Sequence, residues 1–416
     1  MHFSFRTAGE SHGRGLVALV EGVPAGLALS IERDIDPELR RRQGGYGRGG
    51  RMEIEQDRAE VLAGLRLGET IGAPIALLVW NRDWENWRTA MAPEAPSNEA
   101  SDHDLRRVHL PRPGHADLVG VLKYGRDDAR DVLERASARE TAGRVAAGAV
   151  AKRMLRELGI RIGSHIVRLG DVEAAVPESW PSDLNAAADA SPLRTLDPVA
   201  ERRMIEAVDA AREAGDTLGG EFEVVVTGLP AGLGSYVSWD RRLDGRLAGA
   251  LMSIPAMKGV EIGLGFEAAR RRGSAVHDEI EYDPSWSIRR TGGYKRLSNN
   301  AGGLEGGMTT GAPLVARVAM KPLSTLMKPL RSVDLRTKQR ADAIRERSDV
   351  AALAAAGVVG EAVVAMVLAG AVLEKFGGDS MTELRRNLEG YEDELERRSR
   401  ELRQGAAEAP YESGAR

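Results

Sequence analysis

Two histidines stand in short, glycine-containing segments that would fix the backbone and leave room for a ligand. His12 lies within the segment Gly9–Gly13 (GESHG), and His115 lies within Arg112–Asp117 (RPGHAD). A histidine in such a setting can donate or accept a proton near neutral pH. A hydrogen-bonded structural role for either ring is the alternative, and the residues alone leave it open.

Arginines are the second candidate for chemistry, because eight lysines leave 50 of the 58 basic residues as arginine. Base composition of the genome is the simple cause of that excess, but several arginines lie beside glycine or at the start of a helix. There, guanidinium and backbone N–H groups can converge on an anion. A multiply anionic ligand is therefore predicted, held by Arg42, Arg48, Arg135, Arg139, Lys321–Thr325 and Arg347.

Asp349 directly precedes a long apolar run that predicts a buried helix. One interpretation is that its carboxylate caps the helix N-terminus. The other is that it acts as a base in a site crowded with positive charge. The sequence favours neither.

Composition excludes several classes of function. The formal net charge of −4 and a pI near 6.1 argue against a nucleic-acid binder. The absence of cysteine excludes disulfides, thiolate nucleophiles and Cys-ligated metal sites, and it fits the cytoplasm. The seven histidines include no i, i+4 pair, so a metal site is unsupported.

Three short motifs lack the context that their chemistry needs. Gly9–Gly13 matches the G-x-S-x-G nucleophile elbow but has no hydrophobic strand of the required length before it. Gly45–Gly50 and Gly263–Ala268 match the dinucleotide fingerprint, but the first follows an arginine run and the second lacks a βαβ unit. A serine hydrolase and a Rossmann protein are therefore disfavoured.

Hydrophobic patterning predicts the elements that must position these residues. Strands are predicted at 17–20, 27–31, 73–80, 222–229 and 314–320, and helices at 137–158, 243–252 and 350–375. Glycine-rich or polar loops are predicted at 40–51, 91–113 and 288–311, with a surface excursion at 173–200. The Trp80, Trp84, Trp87 stripe is interpreted as packing. Neighbouring strands favour an α+β fold over a doubly wound parallel sheet.

We predict one catalytic domain over residues 1–380, followed by a charged helix to about Arg403 and a tail, 381–416. Ala- and Gly-rich helices around Ala147 and Ala355 hint at an internal duplication. The run 351–373 is long enough to span a bilayer, but Glu361 near its middle favours a buried core helix. No signal peptide is expected at the N-terminus.

Seven strings, taken in order, resemble the chorismate synthase family from about residue 6 to residue 380. They are GESHG, GYGRG at 45–49, RPGHAD, RASARETA at 135–142, NAGGLEGG at 300–307, KPLST at 321–325 and RSD at 347–349. Each string is modest alone, and the ordered set is specific. Ala136 and Pro255 depart from the pattern, because relatives often carry polar residues there.

The resemblance implies a β-α-β sandwich with central long helices between two antiparallel sheets, in a homotetramer. It also implies 1,4-anti-elimination of phosphate and the C6 hydrogen from 5-enolpyruvylshikimate 3-phosphate, which gives chorismate and requires reduced FMN. NADPH is implied as an indirect reductant. No added reductase domain is visible in the sequence, so we expect the flavin to be reduced by an external reductant. No nucleic acid or membrane partner is expected.

The resemblance further implies a role for each matching residue. His12 would stabilise the anionic reduced flavin, His115 would donate a proton toward the leaving phosphate, and Asp349 would act as base near flavin N5, which takes the C6 proton. The positions matching FMN contacts are Arg135, Ala136, Ser137, Pro255, Ala256, Gly306, Lys321, Pro322, Leu323, Ser324, Thr325 and Arg347. Arg42 and Arg48 match NADPH positions, and the substrate positions are Ser11, Arg48, Ser137 and Arg139.

Two other classes of function stay open on the residues alone. A flavodoxin-like redox carrier would need a βαβ phosphate loop, which the sequence does not show. A non-catalytic anion-binding scaffold would use the arginines but would not need both histidines. Turnover with reduced FMN separates an enzyme from a binding protein.

Overall fold

Two antiparallel sheets enclose a layer of helices, and the candidate site residues gather where that layer ends. The computed structural model describes residues 2–49, 56–95, 101–346 and 348–408 of the 416-residue chain. Its fold is α+β, with long helices sandwiched between the two sheets, as predicted.

Strands and helices are numbered along the chain. The strands are β1 (Ser4–Ala8), β2 (Gly15–Glu21), β3 (Ala59–Ala63), β4 (Leu65–Arg66), β5 (Glu69–Thr70), β6 (Ile75–Trp80), β7 (Arg161–Leu169), β8 (Val172–Glu173), β9 (Gly220–Thr227), β10 (Met257–Ile262), β11 (Ile280–Tyr282), β12 (Tyr294–Arg296), β13 (Leu304–Glu305), β14 (Met308–Thr309), β15 (Leu314–Met320), β16 (Arg331–Val333) and β17 (Arg340–Asp342). The helices are α1 (Asp36–Gln43), α2 (Asp117–Tyr124), α3 (Arg130–Ala136), α4 (Thr141–Glu157), α5 (Leu184–Asp189), α6 (Pro198–Ala214), α7 (Leu243–Met252), α8 (Ile288–Thr291), α9 (Leu353–Phe376) and α10 (Met381–Glu408).

Each sheet presents one apolar face to the helices. The first has the order β1-β2-β6-β3, and the second has the order β10-β15-β9-β7-β8, with antiparallel pairing throughout. Strand β6 buries Ile75, Leu77 and Val79 and leaves the alternate positions more accessible. Burial alternates in the same way along strand β15, as expected for a strand that presents one face to the helices.

The central helices α4 and α9 pack closely because small residues line their contact. Helix α4 lies against the first sheet and α9 against the second, and the two helices contact each other along their length. A Cβ on Gly148 would stand only 2.4 Å from the Cβ of Ala362. Any side chain at Gly148 would therefore push the helices apart, which explains the alanine and glycine content of both.

Helix α9 is the one helix of the described residues that is long and apolar enough to cross a membrane. Nearly all of its side chains are buried inside the protein, and Glu361 lies fully buried among cationic partners. The helix is a core helix, in agreement with the prediction.

Other predicted elements differ from the structure. Residues 27–31 are not a strand, because Ala28 makes only an isolated bridge and a π-helical turn follows at Ile31–Ile35. The excursion at 173–200 contains α5 and buries Leu193, while the loop at 288–311 contains α8 and three short strands. Hairpin strands of two or three residues are too short to show a hydrophobic period.

The C-terminal helix α10 is more than a solvated appendage. Its first turns bury Met381, Leu384 and Leu388 in the same apolar core as both sheets. Apolar contacts thus continue across residue 380. A boundary there, and the internal duplication, remain predictions.

Candidate active site

A cavity of about 1000 Å³ opens at the end of the helical layer, where loops from both halves of the chain converge. Ligand sites usually measure about 300–1,000 Å³, so this cavity lies at the upper end of that range. Most of the predicted site residues line it: Ser11, His12, Arg42, Arg48, His115, Ala136, Ser137, Arg139, Pro255, Ala256, Lys321, Leu323, Ser324, Thr325 and Asp349.

Three predicted residues of the described part of the chain are not among those that line the cavity. The Arg135 side chain is exposed and donates to the carbonyl oxygens of Thr7 and Gly9, so it braces the segment before His12. Gly306 lies in the β13–β14 hairpin, and Pro322 lies between the lining residues Lys321 and Leu323. Arg347 falls outside the described residues.

His12 is held by Glu134 of helix α3. The Glu134 carboxylate accepts from the His12 backbone N–H at 2.7 Å and lies 2.9 Å from His12 Nδ1. Burial acts to raise the pKa of Glu134, but hydrogen bonds and charge from His12, with Arg130 beside it, outweigh burial and hold that pKa below its usual value. The ring stacks on Trp87 at 3.8 Å between centroids, so Trp87 packs against His12, in agreement with its interpretation as packing, and also lines the cavity.

His115 is held by Asp117, which starts helix α2. Asp117 Oδ1 lies 2.5 Å from His115 Nδ1, and Arg112 donates to both carboxylate oxygens. Burial raises the pKa of Asp117, but hydrogen bonds from His115 and Arg112 outweigh it, so the pKa lies well below the usual value. Arg112 also donates to Thr325 Oγ1 at 2.9 Å, which joins the histidine loop to the KPLST loop.

Two of the predicted ligand arginines are occupied by protein partners. Arg139 donates to both oxygens of Asp57 at 2.6 and 2.7 Å and to Asn81 Oδ1 at 2.9 Å. Arg42 donates to Thr141 Oγ1 and to the Ala138 carbonyl oxygen, and burial lowers its pKa to about 10. Both guanidinium groups thus form the floor of the cavity around a buried carboxylate.

Asp349 does not cap the buried helix. Helix α9 begins four residues later, at Leu353, and its N-cap is Ala352. Instead, Asp349 accepts from the Gly49 N–H at 2.7 Å and pairs with Arg48 at 3.1 Å. The cap prediction was therefore wrong: the carboxylate anchors the first glycine-rich loop and remains on the cavity wall.

One wall of the cavity suits a planar ring and its phosphate. Ile254, Met257, Met320 and Leu323 give an apolar surface, interrupted by Ala256 with a left-handed φ of 72°. That conformation turns the Ala256 carbonyl oxygen toward the Lys321 N–H, which donates to it at 3.0 Å. Burial lowers the pKa of Lys321, a cost that an anionic ligand would offset. The residues present therefore fit a flavin nucleotide.

Charge on the cavity wall favours anions. Eight of the lining residues are arginine or lysine, against four aspartates or glutamates. No group of three or more potential metal ligands occurs among the described residues.

Sequence reasoning missed the residues behind the histidines. Asp117 was visible inside the RPGHAD string, and Glu134 directly precedes the RASARETA string. Asp57 follows the GYGRG string by eight residues and Trp87 precedes the RPGHAD string by 25, so both lie outside the quoted strings. Only the fold brings them there.

Comparison with known proteins agrees with this geometry. A profile of the family described as chorismate synthase matches residues 3–373. The chorismate synthase of Symbiobacterium thermophilum is 57% identical over 396 residues, covering 95% of this chain and 100% of that protein. The chorismate synthase of Geobacter sulfurreducens is 56% identical over 388 residues, covering 93% and 98%.

A solved structure is similar as well. A crystal structure of chorismate synthase has a TM-score of 0.75 and 44% identity, covering 95% of this chain and 99% of that one. Profile, sequence and fold agree over nearly the whole length, so the chain belongs to the chorismate synthase family.

Proposed function

We propose that the cavity is the active site for elimination of phosphate and the C6 hydrogen from 5-enolpyruvylshikimate 3-phosphate, with reduced FMN bound beside the substrate. One observation carries the proposal: two histidines and an aspartate line a single cation-rich cavity that also has an apolar wall. The chain is a lyase by its family membership, and the assignment of these residues is ours.

The charges of the ligands match the charges of the wall. The substrate has a phosphate and two carboxylates, and FMN adds a second phosphate. Arg48, Arg106, Arg107 and Arg130 line the same space, where low dielectric strengthens each charge-assisted bond. An arginine-lined cavity supports binding of this pair of anions.

FMN would be held between the α3–α4 junction and the loop that follows β15. The lining residues proposed for it are Ala136, Ser137, Pro255, Ala256, Lys321, Leu323, Ser324 and Thr325. Arg135, Gly306, Pro322 and Arg347 stay predictions from the family resemblance. When bound, reduced FMN supplies electron density that helps phosphate to leave.

The protein side chains would bind, orient and move protons. His115 would give a proton to the departing phosphate, and His12 would hold its ring against the anionic flavin. Asp349 would be the final acceptor of the C6 proton, so one proton is released from carbon and one is taken by phosphate. Ser11 and Ser137 would keep the substrate hydroxyl network in place.

His115→Ala tests this assignment. A general acid contributes about 10²–10⁴-fold to turnover, so kcat with photoreduced FMN should fall by that factor while FMN still binds. His277→Ala is the matched control, because His277 is exposed and does not line the cavity. Wild-type protein that binds both ligands without forming chorismate would instead indicate a binding scaffold, and a kcat within about threefold of wild type would remove His115 from the mechanism.

Several finer points remain proposals that the family resemblance supports. They are NADPH as an indirect reductant, a cytoplasmic location and a homotetramer. Of the two arginines assigned to NADPH by the resemblance, we keep Arg48, because the Arg42 donors go to Thr141, Ala138 and Asp57. Exposed apolar side chains at Tyr236, Val237 and Trp239, 71%, 72% and 86% accessible, support association with another subunit.

A further inference from the structure

Both histidines of the cavity are bound at the same ring nitrogen by a buried carboxylate. His115 Nδ1 lies 2.5 Å from Asp117 Oδ1, and His12 Nδ1 lies 2.9 Å from Glu134 Oε1. Asp117 and Glu134 are 0% and 1% exposed, whereas the two histidine side chains are 18% and 13% exposed. In each pair the carboxylate lies behind the ring and the ring borders the cavity.

The Asp117 carboxylate has a complete set of partners. Its Oδ2 accepts from the Arg112 backbone N–H at 3.0 Å and from Arg112 Nε at 2.9 Å. Its Oδ1 accepts from Arg112 Nη2 at 3.1 Å and lies against His115 Nδ1. Because every lone pair has a partner and Arg112 fixes the plane of the group, the carboxylate cannot rotate away from the histidine.

Glu134 is fixed in a similar way by different partners. Arg130 donates to Oε1 at 3.2 Å, and the His12 backbone N–H donates to Oε2 at 2.7 Å. The Ser11 N–H also donates to the Glu134 carbonyl oxygen, which holds the GESHG loop against helix α3.

These contacts determine where the histidine protons are. An ionised carboxylate only accepts, and each one has an arginine beside it that favours ionisation. Nδ1 of each ring must therefore be the donor. Arg112 Nη2, 3.0 Å from His115 Nδ1, is also a donor, so both groups share Oδ1 and neither bonds the other. No hydrogen bond from Nε2 of either ring to another described residue is present.

We infer that Asp117 and Glu134 are positioning residues that keep a proton on Nδ1 of His115 and His12, so that Nε2 is the nitrogen presented to the ligands. The inference rests on the proposed function for its catalytic consequence. A second proton on His115 then sits at Nε2, where it can reach the leaving phosphate, and the buried carboxylate stabilises the charged ring.

Histidine-selective ¹⁵N NMR of the full-length protein tests the inference directly. At a pH where the rings are neutral, both should show a protonated Nδ1 and an unprotonated, downfield Nε2, with assignments from His12→Gln and His115→Gln. This measurement needs no turnover. Observation of the Nε2–H tautomer for either neutral ring would overturn the inference for that pair, whatever the activity.

Asp117→Asn supplies the second test. Because Arg112 still requires an acceptor, the amide oxygen of the substituted side chain should face Arg112 and its NH₂ group should face His115, which moves the ring proton to Nε2. We expect kcat to fall about a hundredfold while KM stays within about threefold, and we expect His12 signals to be unchanged. Asp197→Asn is the control, because Asp197 caps helix α6 outside the cavity and asparagine caps equally well.

The two proposals fail separately. Wild-type protein with Nδ1–H histidines but no turnover would contradict the proposed function and leave the positioning role intact. Asp117→Asn with the tautomer of His115 unchanged would contradict the positioning role even if activity fell.

Discussion

Arg41 and Arg42 are adjacent on helix α1 but serve opposite regions of the molecule. Arg41 points into the helical layer and makes two hydrogen bonds with Glu361, at 2.8 and 2.9 Å. Arg42 points to the floor of the cavity and joins Thr141 and Asp57. Neighbouring arginines that look identical in sequence therefore belong to different kinds of site.

Glu361 and the three cations paired with it, Arg41, Lys152 and Arg194, form the Glu361 cluster, which is largely buried. The cavity wall, in contrast, is accessible to a ligand. Lys152 Nζ lies 2.6 Å from Glu361, Arg194 donates to it at 3.0 Å, and the Ser164 hydroxyl donates at 2.6 Å. Glu38 and Asp189 add further negative charge around the same cations. The cations around Glu361 are enclosed with their carboxylates. Those of the cavity also have carboxylate partners, such as Asp117 for Arg112, but they border open space, and the lining itself has eight basic residues against four acidic ones.

Removal of the Glu361 carboxylate should produce the largest effect. Glu361→Ala leaves Arg41, Lys152 and Arg194 buried without their common partner, which costs about 3–5 kcal/mol in the free energy of unfolding. Urea unfolding monitored by circular dichroism measures the loss. Glu374→Ala on the same helix is the control, because its partly exposed pair with Arg246 contributes about 0–1 kcal/mol.

Lowering the pH should also remove the contribution of Glu361 to the free energy of unfolding. Burial acts to raise the pKa of Glu361, but Arg41 and Lys152 outweigh burial and hold that pKa below its ordinary value of 4.5. Such a carboxylate stabilises the fold above pH 4.5, and the contribution decreases as the pH falls below that value. The difference in stability between wild type and Glu361→Ala should therefore shrink on acidification. A difference that stays constant from about pH 7 to the acid transition would show that the charge of Glu361 is not the cause.

The fold was predictable wherever one face of an element is buried. The apolar runs of β6, β15 and α9 each follow from burial of a strand face or a whole helix. Residues 27–31 look like a strand because they alternate, but their backbone pairs at one residue only. Pairing partners are a property of the assembled sheet, so alternation alone could not exclude that error.

A substitution of Asp349 tests the cavity wall, the second of the two regions compared. Asp349→Asn keeps an oxygen that can accept from the Gly49 N–H but loses the charge beside Arg48 and cannot accept a proton. If Asp349 is the base, turnover should fall roughly a hundredfold, with little change in thermal melting. Steady-state rates with reduced FMN and melting curves from the same preparation give the answer.

Asp349→Ala is the companion variant. It removes both the charge and the anchor of the glycine-rich loop, so it should lose stability as well as rate. Near-normal turnover in Asp349→Asn would leave Asp349 as a loop anchor, and the C6 proton would need another acceptor.

The loops that contain the site histidines could be predicted from the sequence. The carboxylates that bind the site residues from other parts of the chain could not. His12 and His115 sit in glycine-bearing strings that can be read locally. Glu134 reaches His12 across 122 positions of sequence, and Asp57 reaches Arg139 across 82. Contacts over such separations depend on how the sheets and helices assemble, and one sequence alone contains no signal for them.

The smallest expected effect comes from the pair Arg42 and Arg48, which the family resemblance assigned together. Arg42→Gln removes a guanidinium whose donors go to Thr141, Ala138 and Asp57, so we expect a loss of stability with ligand affinity nearly unchanged. Arg48→Gln should instead weaken binding of an anionic ligand by about 1.5–3 kcal/mol, because a charge-assisted bond is lost. Calorimetric titration of each variant with substrate, and separately with NADPH, distinguishes the ligand that Arg48 contacts. Equal losses of affinity in both variants would show that Arg42 also contacts the ligand and that the floor and the wall of the cavity are not separate in function.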